Sequence, residues 1–444
     1  SARLDDTQAA LFAQDDWQAG RKLILNYGLR YDVSTFHLPE DAAVTSTIPN
    51  GGAPVDRNNL APRLGFTFTP GDGGRVAIRG GAGIFYDKMA LGFPAVAAIT
   101  SGTRIGLLFP QGLGYELTEE TVEEIGIDIL KTELFFPDFL TLRFSTGTRL
   151  DTPYTVQYNL GAEWAVGRRG SFQASATRAL GYHQILMKDL NPVASFDING
   201  LPIHRDPGTG SIAALLSEGR SWYSGLDLSW RWRGDAGWYS ASYTLSRAMD
   251  LGPDPLKGGI ALPPFCLHED CETLSPSGSF LQEKGRTDSD RRHRFVLSGS
   301  SPLPWMGLRA SGVIQIASGA PFNVTTGRDE NIDGITTDRP QGVGRNTGED
   351  TSLAAVNAIR AEEGLPAVHL LHEPTFMQVD LRVWKPFHFR EGRGGGEAFL
   401  QVFNLMDRFN GGPIEGRAIS RNFGKPIGQN GPPRTLEFGF KLDF

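Results

Sequence analysis

The most specific arrangement of metal-ligand side chains lies in residues 329–338, which read DENIDGITTD. Carboxylate and amide oxygens at alternate positions, followed by a glycine that permits a sharp turn, are typical of the first half of a calcium-binding loop. The glutamate that ends such a loop is missing because Pro340 stands at its position. The alternative is a polar turn held by side-chain hydrogen bonds to its own backbone. The predicted Ca²⁺ ligands are Asp329, Asn331, Asp333, Ile335 and Asp338.

The chain has two cysteines, Cys266 and Cys271, separated by four residues in a proline-rich segment. Paired cysteines at short spacing are typical of a small disulfide loop in a protein exported to an oxidising compartment. A metal site that adds His268, Glu269 and Asp270 is the alternative. We predict the disulfide.

The remaining polar clusters do not match a catalytic pattern. The glutamates of residues 119–124 indicate a solvated helix face, and the histidines lack metal-ligand spacing such as H-E-x-x-H. The glycines of residues 80–83 are not followed by the Lys-Ser/Thr pair of a phosphate-binding loop. The charges of residues 288–292 indicate the entry to a strand. We therefore predict that the protein is not an enzyme.

The elements that position these residues are predicted from an alternation of apolar and polar side chains. Near the C-terminus Leu436, Phe438, Phe440 and Leu442 share one face of a strand, and polar residues occupy the other. The same alternation covers residues 23–33, 154–166, 222–232 and 239–245. Segments of about 10–13 residues exceed the usual ~5–6 of soluble strands and match the ~9–11 that cross a bilayer. The sequence therefore predicts an all-β, antiparallel transmembrane β-barrel.

The polar face of these strands is predicted to line a hydrated lumen. Its members are charged or amide side chains, which a narrow barrel with a dry interior would not tolerate. They are Arg30, Arg79, Glu163, Arg231, Asp380, Arg382 and Gln401.

Composition agrees with a barrel. Of 444 residues, 40% are hydrophobic, and no apolar run approaches the ~18 residues of a membrane-spanning helix. Barrel strands need only alternate apolar residues, so a moderate hydrophobic content is expected. The net charge of -7 offers no basic surface, so we predict no nucleic-acid partner.

The connections between strands alternate in length. Short turns rich in glycine, aspartate and proline alternate with long loops, which in bacterial barrels face the exterior. The main long loops are predicted at residues 88–152, 250–290 and 318–375, with short helices at 117–125 and 351–363. The whole chain, residues 1–444, is predicted to form one barrel segment of about thirteen strands. Because single-chain bacterial barrels have even strand numbers, we expect further strands upstream or on a partner.

Several motifs in this order resemble one family. Residues 12–17 (FAQDDW), 25–32 (LNYGLRYD), 59–66 (NLAPRLGF) and 79–87 (RGGAGIFYD) are similar to TonB-dependent outer-membrane receptors of the Oar-like subgroup. Residues 290–295, 318–322 and 403–410 agree with this resemblance, which covers nearly the full chain. Members of that subgroup carry a carboxypeptidase-regulatory-like domain ahead of a plug.

The resemblance implies that the chain is the C-terminal part of a 22-stranded, plugged barrel in the Gram-negative outer membrane. Such a barrel imports a bulky ligand with energy delivered through TonB. Its partners would be outer-membrane lipid, a polypeptide that supplies the plug and N-terminal strands, TonB through that plug, and the barrel assembly machinery. Phe444 resembles the aromatic terminal residue that the assembly machinery recognises. The alternatives are a structural or adhesive barrel that docks a partner through its loops, and a small passive channel.

Overall fold

Long antiparallel strands dominate the computed structural model. It describes residues 5–37, 56–71, 73–88, 107–108, 141–145, 151–189, 191, 193–196, 198, 202–206, 212–252, 283–328, 330, 338–389 and 394–443. The predicted helix at residues 117–125 lies outside these ranges.

Eighteen strands occur in the described residues. They are β1 (Asp5–Gln18), β2 (Leu23–His37), β3 (Asp56–Phe68), β4 (Val76–Tyr86), β5 (Leu107–Leu108), β6 (Thr141–Ser145), β7 (Tyr154–Val166), β8 (Gly170–Asp189), β9 (Val193–Phe196), β10 (Pro202–His204), β11 (Ile212–Gly234), β12 (Gly237–Asp250), β13 (Gly285–Arg286), β14 (His293–Pro302), β15 (Arg309–Ala317), β16 (Phe376–His388), β17 (Gly395–Phe403) and β18 (Thr435–Asp443).

The strands form a meander in which each long strand pairs with the next. The path runs β1-β2-β3-β4-β7-β8-β11-β12-β14-β15-β16-β17-β18 in a 16-stranded sheet, and all pairings along it are antiparallel. The short strands β5, β6 and β13 attach to its side, and β9 pairs with β10 alone. In the described part of the chain, β1 pairs only with β2 and β18 only with β17. The prediction of long antiparallel strands is confirmed.

Strand register sorts the side chains into an apolar face and a polar face. On β18, Leu436, Phe438 and Phe440 are more than half exposed because they project from one side of the sheet. On the opposite face, Arg79 of β4 pairs with Glu163 of β7 at 3.0 Å. Since side chains directly across two strands share a face, the register gives the meander one predominantly apolar face and one predominantly polar face.

The structure corrects one boundary. β11 begins at Ile212, ten residues before the alternation predicted over residues 222–232, and it pairs with the end of β8. The alternation is interrupted there because the register shifts on both sides of Gly219, and His183 has a positive φ of 55°. A bulge adds a residue to one strand and hides the two-residue period.

Short and long connections alternate, so all short turns lie at one end of the sheet and all long connections at the other. The tightest turn joins β11 to β12 and ends at Gly237, whose φ is 123°. A Cβ atom at this position would lie 2.0 Å from the carbonyl oxygen of Ser300. Only glycine satisfies both the backbone conformation and this close approach.

The largest apolar core of the described residues lies outside the sheet, at the end with the long connections. Helix α1 (Leu353–Glu362) falls within the predicted range 351–363, and its Val356 is fully buried. No helix in the described residues has the length and apolarity to cross a bilayer. The loop core comprises Phe322, Val324, Val343, Val356, Leu371, Ile414, Ala418 and Phe423.

Candidate functional site

Two long connections fold together into what we call the outer cap, which comprises the described residues within 318–375 and 404–434. Their backbones pair directly: Thr325 donates to Gly416 at 3.0 Å and accepts from Ala418 at 2.8 Å. Arg360 of α1 donates through Nη1 to the carbonyls of Ala418 (2.7 Å) and Ser420 (2.9 Å). Backbone pairing and a buried cation thus hold the two connections as one unit.

A buried ion-pair network joins the outer cap to the sheet. Arg286 of β13 contacts Asp290 at 2.9 Å and Glu373 of the cap at 2.6 Å. The Asp290 side chain is 0% exposed, and its second oxygen accepts the backbone N–H of Ala248 in β12 at 2.8 Å. Burial raises the pKa of the Glu373 carboxyl, although Arg286 opposes the shift. The arginine therefore offsets the cost of burying two carboxylates.

A second arginine makes a parallel connection. Arg345 of the cap pairs with Asp250 at the end of β12 and donates through Nε to the carbonyl of Glu283 at 3.0 Å. Burial lowers the pKa of Arg345 to about 10, because desolvation disfavours its charge. Nη2 of Arg339 donates to both carboxylate oxygens of Glu283, at 2.7 and 2.6 Å.

Between these networks and the cap lies a cavity of about 340 Å³, which we call the loop chamber. Three connections contribute to its wall, and most of the polar side chains in it are engaged. Asn346, for example, donates to Asp288 at 2.6 Å, and Arg417 to Glu415 at 2.7 Å. The charged lining residues are Asp288, Arg291, Arg345, Glu415 and Arg417, and the uncharged polar ones are Ser318, Asn323, Thr325, Asn346 and Asn430.

Two residues of the chamber wall keep buried N–H groups without a hydrogen-bond partner in the described structure. They are Nη1 of Arg291 and Nδ2 of Asn323. The Asn323 amide is oriented by its oxygen, which accepts the backbone N–H of Asn346 at 3.2 Å. Burial also lowers the pKa of Arg291. Buried donors without a protein partner can bind acceptor atoms, so the chamber suits a molecule with anionic or carbonyl acceptors.

The sequence patterns indicate only part of this site. The charges of residues 288–292 predict the entry to a strand, yet Asp288 and Arg291 line the chamber. Arg345 and Asn346 were not predicted to take part in a site. Their only sequence signal is a polar stretch in a long loop, and their partners lie 23 to 95 residues away.

The predicted calcium loop is described at two positions. The Asp338 carboxylate accepts a hydrogen bond from the backbone N–H of Glu330 at 2.6 Å. The backbone carbonyl of Asp338 accepts one from the backbone N–H of Thr326. These bonds bring the two ends of the segment together. Asp329, Asn331, Asp333 and Ile335 lie outside the described residues, as do Cys266, Cys271 and Phe444. The Ca²⁺ site, the disulfide and the assembly signal stay predictions. Among the described residues, no cluster of three or more His, Cys, Asp or Glu side chains could hold a metal.

If residues 329–338 bind calcium, removing two ligands is expected to abolish the protection that Ca²⁺ gives to the segment. We expect millimolar Ca²⁺ to slow protease cleavage between residues 328 and 338 in the wild type, and Asp329→Asn with Asp333→Asn to cancel the effect, since binding orders such loops. Mg²⁺ at the same concentration is the control. Equal cleavage with and without Ca²⁺ in the wild type would favour the simple polar turn.

Comparisons with known proteins agree with the fold. The computed fold is similar to the FrpB iron transporter from Neisseria meningitidis, F3-3 variant (TM-score 0.51, 11% identity, 99% of this chain and 46% of that one). It is also similar to the outer membrane transporter YddB from Escherichia coli (TM-score 0.53, 11% identity, 98% of this chain and 44% of that one). A third similar structure is the siderophore receptor PirA from Acinetobacter baumannii (TM-score 0.50, 12% identity, 98% of this chain and 45% of that one). The chain thus spans less than half of each of these proteins. No curated protein sequence matches it.

The family comparison is more extensive. The model described as "Outer membrane beta barrel domain" matches residues 1–437. Together with the antiparallel meander and its apolar outer face, this match locates the chain in the Gram-negative outer membrane, with the long loops outside. The chain belongs to the outer membrane beta barrel domain family.

Proposed function

We propose that the chain is the C-terminal barrel portion of an Oar-like, TonB-dependent transporter that takes part in energy-coupled uptake of a bulky ligand. The meander with a polar inner face and a folded cap at its outer end carries this proposal. A wide barrel needs a plug to remain sealed, so a plug and further strands are the expected partners. TonB acting through the plug, and the barrel assembly machinery, complete the proposed set.

We further propose that the loop chamber contacts the ligand. Arg291 has no carboxylate within ion-pair distance among the described residues, and its donor and that of Asn323 are available to acceptor groups. The similar structures include an iron transporter and a siderophore receptor by name, so ferric chelates with carboxylate or catecholate oxygens are the first class to test.

The test measures uptake of ⁵⁵Fe as ferric citrate and as ferric catecholates by cells with the intact gene, a deletion, or a deletion of TonB. Uptake that needs both the gene and TonB would support the proposal. Uptake that needs the gene but not TonB would favour the passive channel. Unchanged uptake of every chelate in the deletion strain, with loss of cell adhesion, would favour the structural or adhesive barrel.

The contribution of the chamber is tested separately with Arg291→Gln and Asn323→Ala. Each is expected to raise the half-saturating ligand concentration about tenfold, the effect of one lost hydrogen bond to a charged or polar ligand group. Arg328→Gln, which changes a partly exposed cap residue outside the chamber lining, is the matched control. If the two chamber variants took up ligand as the control does, the chamber would not contact the ligand.

A further inference from the structure

Two arginines interrupt the apolar outer face of the central strands. Arg178 of β8 and Arg247 of β12 are each paired across the ladder with Ser224 of β11, one on either side. Residues paired in this way share a face. Within the same two ladders Leu226 is paired with Ala176 and Leu245, so this face is the apolar one. Both arginines are exposed on it.

Three arginines line one cleft, Arg178 and Arg247 on the outer face and Arg292 at its edge. Two strand spacings separate Arg178 from Arg247, which places their Cα atoms about 10 Å apart. The Arg178 guanidinium donates to the Ser224 hydroxyl. Arg292 enters from the neighbouring connection, where its carbonyl accepts the N–H of Ser246 at 3.0 Å. We call Arg178, Arg247 and Arg292 the arginine cluster.

The cleft beneath the arginine cluster is shallow, apolar and about 610 Å³ in volume. Its apolar lining consists of Tyr158, Leu160, Leu226 and Leu245, all exposed on the outer face. Within the described residues, no ion pair joins any arginine of the cluster to a carboxylate; the ion pairs nearby belong to Arg286 and Arg345. The cleft therefore combines unpaired cations with a lipid-facing floor.

The arginine cluster lies near the outer boundary of the membrane. Arg178 is eight residues along β8 from Gly170, and Arg247 is ten residues along β12 from Gly237. A rise of ~3.3 Å per residue and a tilt of ~45° place them about 19–23 Å above the short turns, close to the top of a ~25 Å apolar band.

Aromatic residues mark the two membrane boundaries independently. Trp232 and Tyr239, with ring centroids 5.8 Å apart, lie near the short turns. Tyr154 and Tyr182 stack at 5.2 Å on the other side of the arginine cluster, toward the long loops. Aromatic belts lie at the level of lipid headgroups. The arginines are therefore just inside the outer belt, where lipid phosphates are within reach of a long side chain.

We propose that the arginine cluster binds the phosphorylated headgroup of an outer-leaflet lipid. Guanidinium groups bind phosphate oxygens in pairs, and basic pockets on membrane proteins recognise anionic headgroups in this way. Arg178 and Arg247 hold the phosphate from both sides of Ser224, with Arg292 at the edge of the same cleft, and an acyl chain lies along Leu226 and Leu245. A charge on the lipid face is most unfavourable at the bilayer centre and less so near the interface, and a bound phosphate would neutralise the charge of the arginines.

The test uses the full-length protein extracted from outer membranes, with Arg178→Gln/Arg247→Gln as the variant. Native mass spectrometry measures retention of bisphosphorylated lipid A, with dephosphorylated lipid A and phosphatidylcholine as comparison lipids. Lys385→Gln is the matched control because Lys385 is an exposed cation on the same face of β16, near the short turns. Heat-modifiable mobility in gels verifies that each variant is folded. If the glutamine variant does not fold, Arg178→Lys/Arg247→Lys replaces it, because this variant keeps both positive charges.

We expect the glutamine variant to bind bisphosphorylated lipid A about tenfold more weakly, as expected for the loss of charge-assisted bonds, and the Lys385→Gln protein to bind it like the wild type. The lysine variant should bind at an intermediate level because it lacks the planar fork. Equal retention of dephosphorylated lipid A by the wild type would overturn the proposal. So would displacement of the lipid by millimolar inorganic phosphate, since the site would then select free phosphate.

Discussion

Asp290→Ala is expected to detach the outer cap from the sheet. The Asp290 carboxylate is completely buried and binds Arg286 at 2.9 Å and the Ala248 N–H at 2.8 Å. Its loss leaves a largely buried arginine with one partner fewer and a strand amide without its acceptor. Breaking a buried pair in this way costs about 3–5 kcal/mol. Proteinase K cleavage of the cap in isolated outer membranes should therefore accelerate by about two to three orders of magnitude.

Two variants separate the contributions. Asp290→Asn keeps an oxygen for the Ala248 N–H but loses the charge, so its cleavage rate should lie between those of the wild type and Asp290→Ala. Asp235→Ala removes the 92%-exposed partner of Arg169 at a short turn, and no measurable change is expected because exposed pairs contribute little. A cleavage rate for Asp290→Ala within a factor of two of the wild type would show that this network does not hold the cap.

Arg360→Ala is expected to separate the two connections that form the outer cap. Arg360 is 3% exposed and donates three bonds to backbone carbonyls, including one from Nε to Pro366 at 2.9 Å. Its guanidinium also lies 5.5 Å from the centre of the Phe423 ring. Alanine leaves those carbonyls unsatisfied and a cavity beside the ring, a combined loss of about 3 kcal/mol. Amide hydrogen exchange at Ala418 should become about 100-fold faster.

The controls distinguish geometry from charge. Arg360→Lys keeps the positive charge but cannot reach three carbonyls with a single ammonium, so exchange at Ala418 should still accelerate. Arg328→Ala removes a partly exposed residue that pairs with Glu362, the last residue of the same helix, and with Glu363 just after it, and exchange should remain at the wild-type rate. If Arg360→Ala also exchanged at that rate, the apolar loop core alone would hold the cap together.

Local patterns in the sequence predict most of the sheet. The alternation over residues 154–166 corresponds to β7 (Tyr154–Val166), and residues 351–363 contain α1 (Leu353–Glu362). These predictions succeed because strand and helix periods are properties of neighbouring residues. The predicted start of β11 is wrong because the shifted register around Gly219 breaks the two-residue period.

The two candidate binding sites could not be predicted to the same extent. Arg178 and Arg247 look like ordinary charges in the sequence, and only the pairing of both with Ser224 shows that they share the lipid-facing side. Arg345 and Asp250 are 95 residues apart, and no short-range pattern relates them. Register and loop packing depend on contacts between distant residues, which a one-dimensional period does not contain.

The sequence by itself determined a barrel of long strands, its two faces and the alternation of short turns with long connections. The reason is that side-chain alternation and turn residues act over a few positions. Only the tertiary structure decided that the long connections form a cap with an apolar core, that buried arginines join it to the sheet, and that a chamber lies between them. Those features depend on buried charges that pair with residues distant in the sequence. Such pairs form because burial makes an unpaired charge costly, and the sequence spacing does not show which residues are close in space.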